Sequence, residues 1–89
     1  MQRRFDELRA RLDTINLELA ALLEQRFEIT DEIGERKKAS AEPVRDRVRE
    51  EAILEQIGRS LRDKEKYADV AEIFEMIFER SRARQNKRC

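Results

Sequence analysis

The chain has no histidine, one proline, two glycines and one cysteine, which is its last residue, Cys89. Each scarcity excludes something. Without histidine there is no imidazole for acid–base work, and most transition-metal sites go with it. A lone terminal cysteine builds no disulfide framework and fits a reducing, cytoplasmic setting. With so little proline and glycine, little interrupts a helix. No apolar run has the form of a signal peptide or a membrane span, so a soluble protein is expected. Net charge is lacking too: 20 basic residues balance 20 acidic ones, which leaves no global field for a polyanion such as nucleic acid. The basic C-terminal end, Arg80, Arg82, Arg84, Lys87 and Arg88, suits the negative pole of a helix.

What remains is a chain of 89 residues, 45% charged and 39% hydrophobic, rich in helix formers. Its apolar residues are periodic rather than scattered, which argues for order. From Phe5 the stripe runs through Leu8, Leu12, Ile15, Leu19 and Leu22, then Arg26, then Ile29 and Ile33. Steps of three and four keep these on one face of a single helix, expected from about residue 5 to 40. Pro43 breaks it and suits the opening turn of a second helix over about 44–61, with Ile53, Leu54, Ile57 and Leu61 as its apolar face. The charged stretch Arg62 to Lys66 is a short connection. A third helix over about 67–87 would bury Val70, Ile73, Phe74, Ile77 and Phe78.

The fold class is therefore all-α, one domain of three helices with a very long first helix. About 35 residues at 1.5 Å each make that helix roughly 50 Å long. A compact globule of this size is only about 30 Å across. The first helix must project beyond its own core with an apolar stripe still uncovered, and a homodimer that pairs the long helices is the simplest solution.

Arg26 interrupts that stripe. A buried guanidinium is costly unless paired, so its partner is either a ligand anion or a carboxylate on a neighbouring helix. Arg9 flanks the same stripe and Lys37 continues it past Ile33. Asp46, Arg49 and Glu50 precede the apolar face of the second helix, and Ser81 and Gln85 extend the line of Phe74 and Phe78 on the third. Singly, each reads as a solvated or structural residue. Together they suggest a polar pocket inside a bundle, with enough cationic donors for a ligand carrying two carboxylates.

The pattern Leu8-Arg9, Leu22-Leu23-x-x-Arg26, Ile33-Gly34-x-x-Lys37, Pro43-Val44-Arg45-Asp46-x-x-Arg49-Glu50 and Ser81-x-x-x-Gln85 resembles the all-helical chorismate mutases across nearly the whole chain. The look is nearest to mutase domains fused to the shikimate-pathway DAHP synthase, which makes such a synthase a possible fused or associated partner. The resemblance implies an intertwined helical homodimer that rearranges chorismate to prephenate with no metal or other cofactor. It implies that Arg26 binds one substrate carboxylate and Arg9, from the other subunit, binds the second. Lys37 and Gln85 would donate to the ether oxygen, and Glu50 would accept from the ring hydroxyl. Asp46, Arg49 and Ser81 would line the pocket. Asn16 departs from the aspartate of many relatives and reads as structural. Arg82 falls at a position that varies in the family and leaves the pocket wall open there. Two other readings stand beside this one: an isochorismate pyruvate lyase on the same scaffold, and a non-enzymatic or regulatory helical dimerisation module.

Overall fold

The computed structural model describes residues 2–87, with side chains from Phe5 onward. Arg88 and Cys89 lie outside that range. Among the described residues the chain is helical and contains no strand: α1 spans Gln2–Ala39, α2 Arg47–Ser60 and α3 Tyr67–Lys87, with a 3-10 turn at Lys64–Lys66 before α3. None of these helices is long and apolar enough to cross a membrane.

The way α1 ends sets the path of the chain into α2. Glu42 N–H donates to Lys37 O at 2.9 Å and Ala41 N–H to Lys38 O at 3.2 Å, the paired bonds that close a helix through a left-handed residue. That residue is Ala41, at φ 59°, where glycine is the usual choice. The chain then turns back along the helix it has left. Pro43 does not open α2, contrary to the sequence expectation. The helix starts four residues later, because the Asp46 carboxylate caps it by accepting from Arg49 N–H at 3.0 Å. A side-chain acceptor for an otherwise orphaned N–H outweighs the mere compatibility of proline with a first turn. The segment 43–46 is left outside any helix, bent at Val44, across the end of α1.

The charged connection to α3 is ordered by its own charges. Asp63 accepts from Glu65 N–H at 3.0 Å and from Lys66 Nζ at 2.6 Å, and these bonds hold its carboxyl below the usual carboxylate range. Lys64 Nζ donates to the carbonyls of Gly58 and Arg59 at 2.7 and 3.2 Å, placing a cation at the negative end of α2.

α3 packs on the C-terminal half of α1 and on α2. The register is pinned at Asp31, which takes both Arg84 Nε and NH2, at 3.0 and 2.7 Å. The guanidinium also lies over the Phe27 ring, 5.3 Å from its centre. Arg84 thus holds two helices together rather than simply neutralising a helix end, and the bond keeps its pKa raised.

The interior is small and mostly polar. Phe78 is the one buried apolar side chain among the described residues, at 3% exposure, beside buried Asp31, Ser81 and Gln85. Val70, Phe74 and Ile77 are half-buried. Ile73, expected inside, is 60% exposed, since it lies round the helix from Phe78 and no described residue covers it. The molecule measures 58 × 25 × 15 Å, with a radius of gyration of 16.6 Å against the ~12 Å of a compact chain this long. The excess is the N-terminal half of α1, where Phe5, Leu8, Leu12, Ile15, Leu19 and Leu22 are 46–59% exposed.

Candidate active site

Where α1, α2 and α3 converge below that projecting half lies a cavity of about 400 Å³. Seven of the eight residues expected at a site line it: Arg26, Lys37, Asp46, Arg49, Glu50, Ser81 and Gln85. The eighth, Arg9, does not. It is exposed, 17 residues up α1 from Arg26, which is about 25 Å along the axis.

Arg26 is the centre of the arrangement. Among the described residues no carboxylate pairs with it; NH1 donates to Ser81 Oγ at 3.3 Å and the guanidinium lies 5.6 Å from the centre of the Phe78 ring. The alternative of a structural salt bridge therefore finds no partner within the described chain. Burial, and then the nearby Arg49 cation, lower the Arg26 pKa. Both causes penalise a positive charge that nothing yet compensates.

Lys37 is placed by the turned-back segment: its Nζ donates to Val44 O at 3.3 Å, a neutral acceptor that leaves the charge unmatched. Asp46 is fixed by its capping bond, so a structural role accounts for that carboxylate fully. Glu50 pairs across helices with Arg82 NH1 at 2.5 Å, and more loosely with Arg45 NH2 at 3.4 Å. Neither partner lies in the helix that carries Glu50.

Gln85 is 6% exposed, far from a frayed end, and its Oε1 has no hydrogen-bond partner. It fits only because residue 34 is glycine: a Cβ there would come within 2.6 Å of Gln85 Cγ. Gly34 looks like a weak point in a helix, and its value lies in admitting this amide.

Sequence reasoning left several lining residues out. Arg82, which the sequence offers only as part of a basic helix end and as a variable position, lines the cavity and holds Glu50. Ile29, Ile33, Ile53 and Phe78 supply the apolar wall and Thr30 and Val44 complete it. The residues Ile29, Ile33 and Phe78 carried a helical-period signal, but that signal does not separate a pocket wall from a core. Among the described residues no cluster of acidic or sulfur ligands could hold a metal ion.

A concave, partly apolar site with few anions and, among the described residues, three cations free of carboxylate partners has the charge to hold a small polyanionic molecule. The class is defined by descent. The sequence matches the family model of chorismate mutase type II over residues 8–86, and the chain belongs to that family, which is a family of isomerases. No curated protein matches the chain. Family membership supports chorismate mutase activity.

Proposed function

We propose that the chain acts in the cytoplasm as a homodimer that rearranges chorismate to prephenate, on the route to phenylalanine and tyrosine, with each pocket completed by Arg9 of a second copy. The observation that carries this reading is Arg26: half-buried, facing a cavity, and with no carboxylate among the described residues to meet it. Its charge is offset only when an anion arrives.

In this reading Arg26 binds one carboxylate of the substrate and Arg9 of the second copy binds the other. Together they favour the folded conformer in which the two reacting carbons approach, which removes much of the entropic barrier. The rearrangement breaks the ether C–O bond as a new C–C bond forms, through a chair with negative charge growing on the ether oxygen. Lys37 Nζ and the Gln85 amide donate to that oxygen. A fixed cation where charge develops stabilises the transition state more than the ground state, and only that difference raises the rate. An acceleration of about 10⁶ requires about 8 kcal/mol. One oriented donor in a dry site can supply about 3 kcal/mol, so two donors and the conformational restriction suffice. Glu50 accepts from the ring hydroxyl, while Asp46, Arg49 and Ser81 hold the walls. No group need gain or lose a proton.

The second copy follows from the same physics. With Phe78 the one buried apolar side chain among the described residues, the chain has little to set against the entropy of ordering about 85 residues. The apolar stripe of the projecting half is the surface that remains to be covered. The nearness to domains fused to DAHP synthase adds a partner to the proposal, to be sought as a change in turnover when such a synthase is added.

The test is product analysis after incubation with chorismate and, separately, with isochorismate. Prephenate from chorismate is expected. Pyruvate released from isochorismate without prephenate formation would make the protein a lyase. Inertness toward both, with no binding of a bicyclic dicarboxylate mimic of the chair, would leave a dimerisation module.

A further inference from the structure

The proposed chemistry gives Arg82 nothing to do, yet Arg82 makes the shortest ion pair of the cavity. Its side chain is 23% exposed and that of Glu50 14%, and NH1 meets Glu50 Oε2 at 2.5 Å. Among the described residues the other carboxylate oxygen, Oε1, has only Arg45 NH2 at 3.4 Å. Charge-assisted bonds of this kind are strongest near 2.7–2.9 Å or below and weak near 3.4 Å. Arg45 is also half in solvent. Glu50 is thus held firmly at one oxygen and loosely at the other.

That asymmetry matters in a pocket rich in cations. Glu50 has a flexible side chain, and Arg26, Lys37 and Arg49 line the same cavity without a carboxylate partner. A carboxylate free to rotate would be drawn toward them and out of the orientation in which Oε1 meets a ring hydroxyl. The link from α3 prevents this, since Arg82 is anchored on the face that also carries buried Phe78, Ser81 and Gln85. Each carboxylate oxygen accepts more than one bond, so Oε1 keeps room for a hydroxyl.

We infer that Arg82 is a positioning residue: by clamping Glu50 at Oε2 it reserves Oε1 for the ring hydroxyl of the substrate, and so sets the preference for a ring-hydroxylated dicarboxylate. This rests on the proposed function and deepens it.

The experiment compares chorismate with its analogue lacking the ring hydroxyl, using wild type, Arg82→Met, Arg82→Lys, Glu50→Gln and the double variant Arg82→Met/Glu50→Gln. Misplacing a contact by an ångström can cost about a hundredfold, so Arg82→Met should lower kcat/KM for chorismate by about that factor. Turnover of the deoxy analogue should stay within about twofold of wild type, because the group that Glu50 serves is absent. Arg82→Lys should restore part of the loss, and the double variant should be no worse than Glu50→Gln alone. Equal losses on both substrates, or losses that multiply in the double variant, would overturn the assignment. If Arg82→Met loses helical content, Arg82→Lys carries the same two-substrate comparison. Wild type inactive on chorismate would overturn the proposed function and this assignment with it; wild-type activity with equal losses on both substrates overturns this assignment alone.

Discussion

The two halves of α1 obey one helical period and meet different fates. From Phe5 to Leu22 every described side chain is exposed, apolar stripe included. From Leu23 to Lys37 the helix lies on α3, and what it buries there is largely polar: Asp31 against Arg84, Arg26 beside Ser81, and Gly34 under Gln85. The half with the apolar face has nothing to pack on among the described residues, and the half that packs builds a charged pocket. Within the described chain, packing and pocket thus share one stretch of the helix, and the apolar stripe of the other is left in solvent. In a chain this small, the pocket consumes the contacts a core would need.

The largest expected effect breaks the apolar half. Leu12→Asp combined with Leu19→Asp places two charges on the projecting stripe, where each leucine would otherwise contribute about 1.5–3 kcal/mol on burial. Sedimentation should show loss of assembly, with helical content and turnover falling together. A variant that keeps wild-type mass and activity would mean that the stripe covers nothing.

The converse experiment spares the stripe and breaks the pocket. Lys37→Ala should lower kcat by about 10³ while mass and circular dichroism stay as in wild type. Wild-type rates would remove Lys37 from the chemistry.

Arg26→Met tests whether the misplaced cation serves the ligand or the fold. Its pKa is lowered in the folded chain, so folding disfavours the charged form, and the penalty lifts only above the folded pKa. For a guanidinium that lies beyond any working pH, and the penalty is present throughout. Turnover should collapse while the thermal midpoint moves by no more than the equivalent of about 1 kcal/mol, roughly 4–8 °C. A large drop in midpoint with normal catalysis would restore the structural salt bridge.

Gly34→Ala should act most gently. Alanine gains about 1 kcal/mol of helix propensity, while overpacking against Gln85 costs about 1–3 kcal/mol. A net loss of about 1 kcal/mol is expected, with kcat reduced about tenfold as the amide is displaced. A stabilised and fully active variant would show that the Gln85 position is not critical.

How much of the fold and site was legible in the sequence depends on the range over which each feature is decided. The stripe of α1 and the periodic third helix depend on residues three and four apart, and the sequence displays them. The start of α2 depended on a competition between Pro43 and the Asp46 cap, and proline is the louder signal. The convergence of seven residues on one cavity was legible only as a shared pattern across three helices, since no local rule brings Arg26 to Ser81. The Arg82–Glu50 and Arg84–Asp31 pairs were not legible. Arginines near a helix end are explained adequately by the dipole until tertiary packing supplies a carboxylate. Ile73 failed for a related reason: periodicity marks an apolar face without saying which chain covers it.

The central claim is that each pocket takes Arg9 from a second copy, and mixing two dead variants tests it most directly. Arg9→Ala and Lys37→Ala should each be inactive alone. Unfolded together and refolded in equal amounts, half of the dimers are mixed, and each mixed dimer holds one pocket with both residues intact. Recovery of about a quarter of wild-type activity is expected for a two-fold dimer with shared sites. A mixture as inactive as its components, although mass analysis shows mixed dimers, would contradict a pocket shared between chains.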